Sequence, residues 1–301
     1  MKSRIFASLA LCLSGAAMGQ QPALLNEAHA PVGNFPALAV GNDRTQMKTF
    51  PVNFTGQLTR VDVQAGPQPQ TVEDLVLSIW SIDAAGLPDQ ELLTASVRAS
   101  TVPLTGTRPW VTFDLTAARF IVHSGTRLGI ALDSAAKNTP PFQERWEWEL
   151  GGFYMKGMTY TIMSGVVVEG HAEDLHFKTY IEPALRGNMD LKPRNDRNQV
   201  NPRSSGLVAI AVLTEPGFDA TSLVTAGVRF GPDANEAAPV GSGAVDVNGD
   251  GLNDLVLRFR LKDAGLQCGD TLVWLSGRTR AGQLFVAGDE IVTVGCGRPT
   301  K

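Results

Sequence analysis

Apolar and polar residues alternate at a period of two along most of this chain, and a helical period is not convincingly present. Leu75, Leu77 and Ile79 fall in phase, as do Val111, Phe113 and Leu115, and then Leu128, Ile130 and Leu132. Further on, Leu255, Leu257, Phe259 and Leu261 alternate with Val256, Arg258 and Arg260. Successive side chains of a strand point to opposite faces, so this pattern predicts half-buried strands. Leu58 to Val63 predicts another, with Leu58, Arg60 and Asp62 on one face and Val61 and Val63 on the other. The stretches 45–54, 91–97, 146–149, 153–162 and 175–181 add candidates, and 207–213 is a near-continuous apolar run. Turn formers separate them, such as Gly66-Pro67-Gln68-Pro69 and Gly86-Leu87-Pro88-Asp89. Short strands at regular spacing predict an all-β fold, read here as two antiparallel β-sandwich (jelly-roll-like) domains in tandem.

The ends and breaks of the pattern predict the domain limits. Residues 1–19 combine Lys2 and Arg4 with an apolar run from Ile5 to Leu13 and small residues at Ala17 and Gly19. That is the layout of a secretory signal peptide, too short to span a bilayer. Leu11 stands before Cys12 where lipid attachment needs a small residue. Residues 20–40 are polar and punctuated by Pro22, Pro31, Gly33 and Pro36, which predicts an irregular lead-in. The first sandwich is expected over 41–182, a linker over 183–188, and a smaller sandwich over 189–298. The expected location is outside the cytoplasm, extracellular or periplasmic.

Between Leu58-Thr59-Arg60-Val61-Asp62-Val63 and Asp174-Leu175-His176-Phe177-Lys178-Thr179-Tyr180, the first region resembles the jelly-roll modules recurrent in secreted bacterial proteins, of choice-of-anchor and carbohydrate-binding type. That resemblance implies a fold and a surface-attachment or glycan-binding role, but no particular ligand. The second region runs from Asp190-Leu191-Lys192-Pro193 through Val228-Arg229-Phe230-Gly231-Pro232 to Val294-Gly295-Cys296. It resembles a small β module appended to secreted bacterial proteins. In that family an Asp-x-Asn-x-Asp-Gly loop and a late cysteine pair are regular features.

Both features are present, and each has its own chemistry. Asp246, Asn248, Asp250 and Asp254 place oxygen side chains at alternate positions, Leu252 offers a main-chain carbonyl, and Gly251 allows the turn. Hard cations take several oxygens from such a segment, so Ca²⁺ is the expected ligand. Leu257 stands where an EF-hand has its bidentate Glu, and the strand pattern that follows predicts a strand-flanked loop. The alternative is a metal-free Asp/Asn/Gly turn. With the leader removed, Cys268 and Cys296 are the two remaining cysteines. They fit one disulfide in an oxidising compartment, the alternative being two buried thiols.

Charge narrows the partners. The net charge of -4 becomes -6 when Lys2 and Arg4 leave with the leader, and no Lys/Arg block is present. Nucleic acid is therefore not expected as a partner, nor is membrane insertion. Trp146 and Trp148 share a strand face, which could stack a sugar as one platform or could close the core. Nearby carboxylates at Glu144, Glu147, Glu149, Glu169 and Glu173 admit an alternative, a secreted glycoside-type hydrolase. His171 and His176 are five apart, and the zinc-protease spacing is four on a helix, so zinc is not expected. No Gly-x-Ser-x-Gly elbow and no phosphate loop occur. The expected role is non-catalytic recognition of a glycan or cell-surface ligand, with a purely structural envelope role as a third reading.

Overall fold

The computed structural model describes residues 21–297 apart from 32, 34–35, 42–43, 70, 105–106, 136–145, 172–173, 194 and 196. Among the described residues the chain is strand and turn, with helix confined to short 3-10 turns. No described helix is long and apolar enough to cross a membrane. The fold is all-β, built from facing antiparallel sheets.

The strand Gly56–Pro67 is the spine of the first half. At ~3.3 Å per residue it is long enough to serve several partners. It pairs antiparallel with Phe177–Pro183, Ile121–Val122, Trp110–Asp114 and Trp146–Glu149. Its alternation is interrupted once. Ile181 pairs with Leu58 and Tyr180 with Arg60, so Thr59 is the extra residue of a bulge. The bulge shifts the phase, and Leu58, Val61 and Val63 are all buried. Strict alternation had separated Leu58 from Val61 and Val63; the inserted residue is the reason it fails.

Leu24–His29 and Ala37–Val40 form the two ends of this sheet's strand order. The lead-in predicted to be irregular is thus partly strand, because Pro31, Gly33 and Pro36 fall between the strands rather than within them. The facing sheet runs in the order Val166–His171, Thr159–Met163, Arg44–Pro51, Arg127–Ser134, Leu75–Ile82 and Pro88–Val97. Phe50, Phe113, Phe177, Trp146 and Trp148 belong to the cluster buried in this half.

The second half has its own buried cluster, which includes Ile210, Phe230, Leu257, Phe259, Leu275 and Phe285. One of its sheets orders Met189–Leu191, Leu207–Val212, Asp254–Arg260 and Gly241–Val245. A second orders Leu185–Arg186, Leu284–Glu290, Leu272–Arg278 and Arg229–Gly231, and a third pairs Gln199–Val200 with Val292–Thr293. Cys268 and Cys296 are joined by a disulfide with Cα atoms 5.8 Å apart. An enclosed loop of this size stabilises by ~3–4 kcal/mol on the chain-entropy account.

The two clusters meet in a seam. The connecting segment is extended and tied down: Ala184 N–H donates to Thr55 O, and Leu185 and Arg186 pair in parallel with Phe285 and Val286. Gly187 is required here, because a Cβ would lie 2.6 Å from the Phe285 ring. Ile121 packs with Ala234, Leu284 and Val286 as a third buried cluster across the seam. Arg278 donates through both terminal nitrogens to Glu182, at 2.5 and 2.7 Å. Arg119 donates to Gly227 O at 2.8 Å.

Glu182 is only 1% exposed, and that guanidinium grips both of its carboxylate oxygens. Arg278→Ala would remove the forked guanidinium from a buried carboxylate, at a cost of ~3–5 kcal/mol. We expect the urea midpoint to fall accordingly, with Arg278→Lys restoring only part because lysine lacks the planar fork. An unchanged midpoint for Arg278→Ala would show that the pair does not hold the seam.

Candidate functional site

Trp146 and Trp148 close the core, one of the two roles open to their shared face, and form no sugar platform. Trp146 and Trp148 are 0% exposed. Trp146 Nε1 donates to Glu73 O at 3.0 Å and Trp148 Nε1 to His176 O at 2.8 Å. Period two shows that both indoles share a face; the packing of the second sheet decides that this face is inside. Buried indole N–H groups need acceptors, and both have main-chain carbonyls. The opposite side of the same strand carries Glu147 and Glu149. Arg108 holds both, through Nε to Glu147 at 3.0 Å and through Nη1 to Glu149 at 2.6 Å. One guanidinium thus binds two of the carboxylates of the hydrolase alternative, Glu147 and Glu149. Glu144, Glu173 and the side chains of Glu169 and His171 lie outside the described residues, while His176 is buried with Nδ1 against Gln64 Oε1.

The loop 246–254 joins two antiparallel strands, with Val245 paired to Asp254, as the alternation after it predicts. Gly249 and Gly251 adopt φ of 80° and 88°, which no other residue takes without strain. Asp246 accepts from the N–H groups of Gly249 and Gly251 at 2.7 and 2.9 Å. Those donors, Gly251 first and Gly249 next, hold the Asp246 carboxyl below its ordinary pKa. Asp250 accepts from Leu252 N–H at 2.8 Å, and Asn248 Oδ1 accepts from Asp250 N–H at 3.1 Å. Asp254 is 0% exposed, and its two oxygens accept from Thr214 N–H and Val247 N–H.

Among the described residues no three His, Cys, Asp or Glu side chains close on one point. The donor chemistry nevertheless fits a hard cation. Three carboxylates, the Asn248 amide oxygen and the Leu252 carbonyl are all oxygen donors. Each carboxylate oxygen has more than one acceptor position, so the amide bonds leave capacity for an ion.

Two further surfaces set aromatic rings beside polar groups. The outer face of the spine's sheet sets aromatic rings among planar polar side chains. Trp110 is 37% exposed and Lys178 Nζ lies 4.0 Å from its ring centre. Arg60 lies over Tyr180 at 3.6 Å. Thr112 donates to Asp62 at 2.9 Å beside them. A shallow pocket of about 410 Å³ opens on this face between Arg60, Thr112, Asp114 and Tyr180. The strand register brings these residues together: Arg60 pairs with both Asp114 and Tyr180, and Gln64 with Trp110. Trp110 lies in opposite phase to the buried Val111 and Phe113, which puts its ring on the outer face.

The second surface is a larger cleft of about 760 Å³ along the seam, bordered by Leu92, Phe120, Ile121, His123, Glu236 and Trp274. Here His123 stacks on Trp274, with ring centres 3.8 Å apart and planes 21° from parallel. Burial, and then the charge of Arg186, lower the His123 pKa to about 4.

No family model matches the sequence, and no curated protein matches it. Among solved structures, murine CEACAM1b is similar at 10% identity and a TM-score of 0.20, covering 79% of this chain and 94% of that one. A DUF4785 family protein from Legionella pneumophila is similar at 8% identity and a TM-score of 0.22, covering 91% of this chain and 69% of that one. At such TM-scores neither likeness carries an argument about fold or function.

The seam should be sensitive to acid. His123 is charged below about pH 6.5 in an unfolded chain but only near pH 4 in the closed seam. Its stabilising share is therefore complete above pH 6.5 and is lost as the pH falls through that window, by ~3 kcal/mol at most. Urea midpoints at pH 7 and pH 4.5 would check this. His123→Phe keeps an aromatic stack without a titrating nitrogen, so its midpoint should change less between the two pH values.

Proposed function

We propose that this chain is an exported, calcium-stabilised β protein that recognises a glycan of a cell surface on the outer sheet face around Trp110 and Tyr180. The observation that carries this reading is the pairing of half-exposed rings with charged and hydroxyl side chains on three adjacent strands. Sugar rings present C–H faces to aromatic rings and hydroxyls to planar polar groups, and this face offers both. Lys178 and Arg60 lie over the rings, but an exposed cation–π contact contributes only ~0.5–1 kcal/mol, so an incoming sugar can displace them. With Trp146 and Trp148 buried, recognition passes from the interior pair to this face. Arg108 engages both Glu147 and Glu149, and nothing favours hydrolysis there.

Titration with a panel of soluble and insoluble polysaccharides tests the reading. We expect Trp110→Ala and Tyr180→Ala each to weaken binding about tenfold, equivalent to ~1.4 kcal/mol, with little change in melting temperature. Absence of binding across the panel, or binding indifferent to Trp110→Ala, would remove the recognition role.

The second part of the proposal is the ion. Asp246, Asn248, Asp250, Asp254 and the Leu252 carbonyl would hold Ca²⁺, which supplies positive charge to a loop carrying three carboxylates. Its role is structural: the loop closes the hairpin between Gly241–Val245 and Asp254–Arg260. At ~1 mM Ca²⁺ and a dissociation constant of ~0.1 mM, linkage adds ~1.4 kcal/mol. Calorimetry of chelator-treated protein should show heat on adding millimolar Ca²⁺, together with a higher melting temperature. Asp250→Ala should abolish both responses.

A further inference from the structure

Lys48 is 0% exposed, an extreme position for an ammonium group. Its strand, Arg44–Pro51, presents Lys48 in phase with Phe50, so both point into the sandwich. There Lys48 Nζ contacts Asp174 Oδ1, and Asp174 is 4% exposed. The Thr159 hydroxyl touches both partners, at 3.5 Å from Lys48 Nζ and 3.2 Å from Asp174 Oδ1. The main-chain N–H of Tyr154 donates to the other oxygen, Asp174 Oδ2. The Tyr154 ring forms a wall, with its centre 4.9 Å from Lys48 Nζ.

We propose that Lys48 and Asp174 are a self-condensing pair, joined in the mature protein by an amide between Lys48 Nζ and Asp174 Cγ. Two buried charges are costly to hold, and passing the ammonium proton to the carboxylate removes both. Burial also pulls the Lys48 pKa below its ordinary value, against the pull of Asp174. Proton transfer within the touching pair gives a free amine against a carboxylic acid, the reactive forms for condensation. Nζ attacks Cγ, and Oδ2 carries the developing negative charge against the Tyr154 N–H, as an oxyanion donor would. Thr159 accepts a proton from Nζ and passes its own to Oδ1. The Nζ–Cγ bond forms, the Cγ–Oδ1 bond breaks, and Oδ1 leaves as water carrying the acid proton and the relayed one. Nothing is oxidised or reduced, and no co-reactant is needed. Held partners of this kind reach effective concentrations of ~10⁵–10⁸ M, which drives a step that is slow between free groups.

The consequence is mechanical. Lys48 belongs to one sheet, and Asp174 leads into the strand Phe177–Pro183 of the facing sheet. The amide would clamp the two sheets across 126 residues of sequence, which suits a protein working outside the cell without chaperones.

Peptide mapping by mass spectrometry of the full reduced and denatured chain decides the matter. Trypsin cannot cut after an acylated lysine. The expected product is a branched species joining residues 45–60 to residues 157–178, lighter by one water than the two linear peptides together. Lys48→Arg and Asp174→Ala should each give only linear peptides. Should either variant fail to fold, the wild-type digest still decides. Cleavage after Lys48, with residues 157–178 recovered as a linear peptide, would overturn the proposal and leave a buried ion pair.

Discussion

A lysine buried to 0% exposure must have a partner for its terminal nitrogen, and the first sandwich places the Asp174 carboxyl there. Lys48 points into the core in phase with Phe50, so Asp174 has to be delivered to the same place from a distant part of the chain. The segment that delivers it also brings Tyr154, whose hydroxyl donates to Glu27 at 2.8 Å. Glu27 in turn accepts from Lys156 at 2.7 Å and Asn53 at 2.8 Å. Burial opposes its ionisation, but the bonds from Lys156, Asn53 and Tyr154 outweigh burial and lower its pKa. Burial, followed by the bond to Glu27, raises the Tyr154 pKa, so the phenol stays a donor. A network of this kind is stabilising only when every member is satisfied, and it makes the packing of this region specific.

The seam follows a different logic. Its apolar contribution is small, centred on Ile121, Leu284 and Val286. Directional contacts supply the rest: the forked Arg278–Glu182 pair, the Arg119 bond to a main-chain carbonyl, and the His123–Trp274 stack. Such contacts fix orientation more than they add affinity. The connecting segment between the two cores is short and extended, so the geometry of the seam is set by covalent reach as well as by these contacts.

The acidic loop shows how a chain can prepare a charged turn. Asp246 and Asp250 accept from the loop's own N–H groups, and buried Asp254 accepts from Thr214 and Val247. These bonds hold the carboxylates in place within one short turn, since left-handed glycines let the main chain fold around them. An ion entering such a loop would meet donors already ordered, which lowers the entropic cost of binding.

Period-two alternation made most strands legible, because a strand's two faces meet two environments. Leu75–Ile82, Trp110–Asp114, Arg127–Ser134 and Asp254–Arg260 all lie where the pattern predicts. The cysteine pair was legible by counting, and the loop's turn by its glycines and alternate oxygens. Alternation cannot say which face is inside, and so the burial of Trp146 and Trp148 and the exposure of Trp110 awaited the packing of one sheet on another. Nor can it register an inserted residue, which is how the bulge at Thr59 moved Leu58 into phase with Val61. Partnerships across long separations, such as Lys48 with Asp174, Arg108 with Glu147 and Glu149, and Arg278 with Glu182, leave no mark in local pattern. Local sequence sets the preference of each segment; only the folded chain decides which distant groups share a space, because that choice is made by the burial and hydrogen-bond needs of the whole.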